Sequence, residues 1–230
     1  MKGLLATSVN QDKAMHQAIG GEFEAMGLME KDLLVAQGLA PEGFVIDVGC
    51  GSGRLAVHLS PYLKGGYLGT DVVPDLLDYA RQLVDRPDWR FELADGLTIP
   101  APDSSADVVC FFSVFTHLRH EESYTYLKEA RRVLRPGGRI IFSFLEFAIA
   151  SHWAVFAKNV ASVHSDLPLD QFMSRDGIYS WADHLDLTII DLLDGDVPSI
   201  PLAQPVVLES GQKYETLGTL GQSIAVLGLS

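Results

Sequence analysis

Short apolar runs alternate with amphipathic segments over residues 44–145, and the first junction between the two is a cluster of glycines, Asp47-Val48-Gly49-Cys50-Gly51-Ser52-Gly53. Phe44 to Val48, Tyr67 to Asp71, Val108 to Phe112 and Arg139 to Leu145 read as buried strands, and Trp89, Phe91 and Leu93 alternate as a strand does. Between them, Leu55 to Leu59 reads as a helix that stops near Pro61. Pro74 to Val84 reads as one that starts on proline and keeps Leu76, Leu77, Ala80, Leu83 and Val84 on one face. Tyr124, Leu127, Ala130 and Leu134 mark a third, and Arg135-Pro136-Gly137-Gly138 supplies a stop and a turn. Strands that alternate with helices are parallel βαβ units with right-handed crossovers. The expected fold class is therefore α/β, a doubly wound three-layer αβα sandwich.

Around that stretch, residues 10–37 read as N-terminal helix interrupted at Gly20-Gly21. Ser174 is placed to cap a helix carrying Ile178, Trp181, Ala182 and Leu185, and strands follow at Thr188 to Leu193 and Ser223 to Leu229. Two connections are long, Glu146 to Met173 and Asp194 to Gln222, and connections of that length inside a domain usually serve binding. The 230 residues divide as one domain: a helical cap at 1–40, a cofactor-binding core at 41–145, substrate-facing inserts with sheet completion at 146–222, and a final strand at 223–230.

Charge and composition narrow the partners. Seventeen basic against thirty acidic residues leave a net charge of −13, which repels nucleic acid and acidic membrane surfaces. Cys50 and Cys110 belong to no metal-ligand or disulfide spacing, so no metal is expected. Residues 1–6 are too short an apolar run for a secretory signal, and Ile140 to Ala157 carries too many polar groups to span a bilayer. Cytoplasmic residence and a monomer or homodimer are the expectation.

The glycine loop lacks the Gly-Lys-Ser/Thr ending of a triphosphate loop, and its third glycine comes one residue early for a dinucleotide loop. Asp47 at the strand's end suits a cofactor that carries positive charge. Asp71 stands 18 residues after Gly53 at the end of the second strand, the place of an acid that accepts hydrogen bonds from ribose hydroxyls. Asp95-Gly96 ends the third strand, where a carboxylate and a backbone N–H match an adenine edge. Three acids at three successive strand ends suit an adenosine-containing cation.

These motifs, in order, together with Asp107 to Ser113 and Leu134-Arg135-Pro136-Gly137-Gly138-Arg139, resemble class I S-adenosylmethionine-dependent methyltransferases over about residues 43–145. The resemblance implies a seven-stranded sheet of order 3-2-1-4-5-7-6 with strand 7 antiparallel. It implies S-adenosyl-L-methionine as cofactor, S-adenosyl-L-homocysteine as its product, and contacts from Asp47, Gly49, Cys50, Gly51, Asp71, Val72, Asp95, Gly96, Phe112 and Ser113. The expected reaction is methylation of a small-molecule acceptor, with oxygen the expected atom.

A hydroxyl acceptor calls for a base, and His117, just past the fourth strand, is the first candidate, with Glu146 and His152 after the fifth strand as further ones. Trp153, Phe156, Phe172 and Tyr179 are candidates for an aromatic acceptor wall, while Trp181 is assigned to the core. Three other readings stand beside this one: a non-catalytic protein that binds the cofactor or its product, a methyltransferase acting on a protein or another nucleophile, and a nicotinamide-dependent oxidoreductase. Glycine spacing and Asp47 count against the last.

Overall fold

The computed structural model describes residues 15, 22–165 and 169–230. Along them run α1 (Phe23–Ala36), β1 (Val45–Val48), α2 (Arg54–Leu59), β2 (Tyr67–Asp71), α3 (Pro74–Val84), β3 (Arg90–Leu93), β4 (Ala106–Phe111), α4 (His120–Val133) and β5 (Leu134–Phe144). There follow α5 (Trp153–Ser162), α6 (Arg175–His184), β6 (Leu187–Leu193), the two-residue strands β7 (Ile200–Pro201), β8 (Val206–Val207), β9 (Lys213–Tyr214) and β10 (Leu217–Gly218), and finally β11 (Ser223–Leu229). The expected interruption at Gly20-Gly21 lies outside the described residues.

The main sheet has the order β3-β2-β1-β4-β5-β11-β6. Counting β11 as its seventh strand, this is 3-2-1-4-5-7-6. All neighbours are parallel except β11, which runs antiparallel to both β5 and β6. Alternation within β4 shows why the sheet is covered twice. Val109 and Phe111 pack with Leu127 and Ala130 of α4 and Ile178 of α6, whereas Val108, Cys110 and the adjoining Phe112 pack with residues of α1, α2 and α3. Successive side chains leave a strand on opposite faces, so a continuous apolar run demands helices on both.

Local rules set several boundaries. Pro74 opens α3 in its first turn, and the Ser174 hydroxyl accepts from the N–H of Gly177 to cap α6. The expected turn at 135–138 is instead part of β5: Leu134 pairs with Ala106 and Arg139 with Val108, so the extra residues form a bulge, with Gly137 at φ 82°. The insert at 194–222 folds into two small ladders, β7 with β10 and β8 with β9. It is tied to α1, whose Asp32 and preceding Glu22 accept from the N–H groups of Ala203 and Glu209.

Because β11 is antiparallel, its first residue lies where β5 ends: Ser223 pairs with Phe144. The residues just before β11 thus reach the carboxyl edge of the parallel strands, the edge at which doubly wound sheets bind ligands.

Candidate functional site

A cavity of about 860 Å³ opens at that edge, between the glycine loop after β1, the ends of β2 and β4, and the segment leading into β11. Gly49 adopts φ 76°, and a Cβ there would stand 2.4 Å from Cγ2 of Val114, so both backbone conformation and space call for glycine. The N–H groups of Gly49 and Cys50 donate to the carbonyl of Thr70 at 2.7 and 3.0 Å, strapping the loop to β2.

Acids line this half. Asp71 accepts the Gly51 N–H on one carboxylate oxygen and the Val73 N–H on the other, both at 2.9 Å. Each oxygen keeps a further lone pair for a ligand hydroxyl. Asp47 is buried, and burial raises its carboxyl to about 7 against the lowering effect of the Tyr67 hydroxyl, which donates to it at 2.6 Å. Glu30 of α1 is buried too; desolvation raises it although Arg54 approaches its oxygens at 2.5 and 3.3 Å. Glu30, Asp47 and Arg54 together leave this end of the cavity poised to gain from a cation, since bringing one beside Asp47 favours the ionised carboxylate.

The opposite half mixes apolar and polar side chains and draws on distant segments. Ser113, at φ 60°, and Thr116, His117 and Leu118 follow β4; Leu145 follows β5; Val155 and Lys158 share one face of α5; Leu220, Gly221 and Gln222 precede β11. A left-handed conformation costs a non-glycine residue about 1 kcal/mol. Ser113 is held in it by donating its N–H to Ser143 at 2.7 Å and by its carbonyl, which accepts from the Thr116 hydroxyl at 2.9 Å. Asp170 stands 4.0 Å from Nδ1 of His117. Its backbone is fixed by a two-point clamp, with the Asn159 amide donating to its carbonyl at 2.6 Å and accepting its N–H at 3.1 Å.

Nine of the sequence-derived candidates line this cavity: Asp47, Gly49, Cys50, Gly51, Asp71, Val72, Phe112, Ser113 and His117. Asp95 and Gly96 do not; both are exposed on the turn after β3, where the hydroxyl of Tyr126, itself a lining residue, donates to the Gly96 carbonyl at 3.2 Å. Glu146 and His152 also lie off the cavity, behind its wall. Leu145 faces the space, so its neighbour Glu146 is turned away by the alternation of an extended chain.

Glu146 is 2% exposed and is taken up by Arg175, at 2.7 and 2.9 Å, and by the Ser223 hydroxyl at 2.5 Å. His152, 1% exposed, accepts the Glu146 N–H on Nδ1 and donates from Nε2 to the Gly221 carbonyl at 3.2 Å. A Cβ on Gly195 would lie 2.6 Å from that Nε2, so glycine is required for this packing. Both residues buttress the segment that carries Gln222. Of the aromatic candidates, Trp153, Phe156 and Phe172 join Phe147 in a cluster with ring centroids 4.8 to 6.4 Å apart, whereas Tyr179 is exposed. Trp181 packs edge-on against His120 and Tyr124, beside the core.

Glu30, Arg54, Tyr126, Lys158, Asp170 and Gln222 were not singled out from the sequence. Lys158 alone had a readable signal, three residues after Val155 on an apolar helix; the others arrive through long-range packing. Among the described residues no group of three metal-ligating side chains is assembled, and no helix is long and apolar enough to cross a membrane.

Residues 46–142 match the family of methyltransferase domains. A demethylmenaquinone methyltransferase of Deinococcus radiodurans is 41% identical over 110 residues, 45% of this chain and 42% of that protein. A malonyl-[acyl-carrier protein] O-methyltransferase of Yersinia pestis is 38% identical over 113 residues, 49% of this chain and 40% of that protein. The matches thus span less than half the length of these relatives. A TehB-like SAM-dependent methyltransferase from Corynebacterium glutamicum superposes with a TM-score of 0.60 at 20% identity, over 99% of this chain and 100% of that one.

Proposed function

We propose that the protein transfers a methyl group from S-adenosylmethionine to an oxygen of a small-molecule acceptor, a reading supported by the match of residues 46–142 to the methyltransferase-domain family and by a sheet of the class I methyltransferase fold. The observation that carries the proposal is the division of one cavity into a half beside the glycine loop lined by Glu30, Asp47 and Asp71 and a half beside His117 that later segments of the chain assemble.

The residues of the first half fit the cofactor. Asp71 offers both carboxylate oxygens to the ribose hydroxyls, the bare Gly49 backbone admits the methionine portion, and Asp47 with Glu30 favours its positive charge. The cofactor supplies an electrophilic sulfonium methyl, so the protein's task is chiefly alignment of the nucleophile, at about 3 to 3.5 Å from the carbon it attacks. Leu118, Leu145, Val155 and Leu220 offer apolar contact to the body of an acceptor in the second half, which stays open to solvent beside the exposed His117 and Lys158. His117 takes the acceptor's proton as base, and Asp170, facing Nδ1, keeps the other ring nitrogen turned to the acceptor. Glu146 and His152 keep the wall in place and touch no reactant.

Two relatives support small or carrier-bound acceptors by name, one for demethylmenaquinone and one an O-methyltransferase. Methylation of a protein remains the second reading, because the malonyl group of the latter's substrate rides on a carrier protein.

Thermal melts with S-adenosylmethionine, S-adenosylhomocysteine and NAD test the cofactor, and labelled-methyl transfer to a metabolite mixture tests the reaction. Stabilisation by the two adenosyl compounds and label in a hydroxyl-bearing product are expected. Stabilisation by NAD alone contradicts the proposal, and tight cofactor binding with no acceptor labelled favours a non-catalytic binding protein.

A further inference from the structure

Gln222 closes a ring of three hydrogen bonds at the border between the two halves of the cavity. The Ser113 N–H donates to the Ser143 hydroxyl oxygen at 2.7 Å, the Ser143 hydroxyl donates to Oε1 of Gln222 at 2.8 Å, and Nε2 of Gln222 donates to the Ser113 hydroxyl oxygen at 3.1 Å. The ring's direction is forced. A backbone N–H can only donate, so Ser143 accepts from it and spends its own hydrogen on the Gln222 carbonyl; the Gln222 amide then has only N–H to offer Ser113. Turning the amide over would take that acceptor from the Ser143 hydroxyl, which is 2% exposed. The Ser113 oxygen is therefore already an acceptor within the ring, and its own hydrogen is left for the cavity that Ser113 lines.

A hydroxyl hydrogen is repelled by a sulfonium and attracted by a lone pair. We infer that Ser113 donates a hydrogen bond to the oxygen of the methyl acceptor and that Gln222 and Ser143 are positioning residues that aim it. This deepens the methyl-transfer reading above and rests on it. The assignment also explains selectivity. An acceptor oxygen carries at least two lone pairs, one for Ser113 and one to attack the methyl carbon. An uncharged amine nitrogen has one, and holding it on Ser113 would block attack. In the step itself a new O–C bond forms, the S–C bond breaks with its electron pair passing to sulfur, and the acceptor's proton leaves to His117. The long insert before β11 thereby gains a purpose: it delivers Gln222, flanked by Gly221 held by His152 and Ser223 held by Glu146.

The test compares wild type, Ser113→Ala, Gln222→Glu, Gln222→Met and the Ser113→Ala/Gln222→Met pair. Each is checked first for S-adenosylhomocysteine affinity, then for labelled-methyl transfer to matched phenol and aniline, and aliphatic alcohol and amine, probes. Cofactor-product affinity within about threefold of wild type and a loss of about tenfold in kcat/KM on oxygen probes are expected for each single variant. Transfer to the amine probes, disfavoured in wild type, should rise or show no comparable loss, and the double variant should be no worse than Ser113→Ala, because Gln222 acts through Ser113. Undiminished transfer to oxygen in Ser113→Ala, a Gln222 effect that persists in the Ser113→Ala background, or wild-type transfer to amines alone would overturn the inference. If no probe is methylated, a wild-type structure with S-adenosylhomocysteine decides. A solvent oxygen held on the cavity side of the Ser113 hydroxyl at about 2.6–3.0 Å supports it, and a hydroxyl turned onto a protein carbonyl overturns it. Absence of S-adenosylhomocysteine binding by wild type instead overturns the methyl-transfer reading itself.

Discussion

The glycine-loop half of the cavity takes its side chains chiefly from residues 47–55 and 70–76, beside two neighbouring parallel strands. The opposite half collects residues 113–118, Leu145, 155–158, Asp170 and 220–222. The first is set by backbone: a loop strapped to the next strand, positive-φ glycines and a carboxylate that accepts two N–H groups. The second is set by packing, through a wall propped from behind by buried ionic and polar groups. A site of the first kind is fixed once the chain turns there, whereas one of the second kind can be rebuilt by changing inserts without disturbing the sheet.

The largest effect expected separates the halves by pH. Burial raises Asp47 from 3.8 to about 7. Between those values the folded protein holds a proton that the unfolded chain has lost, so this carboxyl's contribution to stability is complete below about pH 4 and is lost as pH rises through about 7. A shift of this size corresponds to about 4 kcal/mol. Asp47→Asn should flatten the decline, read by urea denaturation across pH 5 to 8, and an unchanged decline would show that the acid half is not its source.

Next in size is the prop of the other half. Arg175→Ala leaves the buried Glu146 carboxylate without its cation and should cost about 3 kcal/mol in denaturant unfolding. Affinity for S-adenosylhomocysteine should change little, since neither residue touches the acid half; a large loss would couple the halves. His117→Ala should lower kcat by about 100-fold while cofactor affinity is kept. Asp170→Asn should do the same to a smaller degree. Full turnover of His117→Ala from pH 6 to 9 would remove it as the base.

How much of each half can be read from sequence follows from how each is built. The bounds of β2, α3 and β11 coincide with the apolar patterns at Tyr67 to Asp71, Pro74 to Val84 and Ser223 to Leu229. Asp47, Gly49 and Asp71 are legible because a strand end fixes where the next residue points. Asp95 shares a strand end's position, yet its turn leaves it exposed, with the preceding Ala94 facing the cavity instead. Glu146 illustrates the same limit in the other half: the sequence places it at the right edge, and only the side Leu145 takes tells that Glu146 points away. Nothing local marks Gln222. Its neighbours Ser113 and Ser143 are 109 and 79 residues away in sequence, brought together because β11 runs antiparallel. Glu30 and Asp170 likewise enter from α1 and from the connection after α5.

Calorimetric titration of S-adenosylhomocysteine into wild type, Asp71→Ala and His117→Ala tests the division of the cavity most directly. Removing the carboxylate that serves the ribose should weaken binding by about 1 to 3 kcal/mol, while the His117 variant should bind as wild type does. Equal affinity in wild type and Asp71→Ala, or a comparable loss in His117→Ala, would contradict the account.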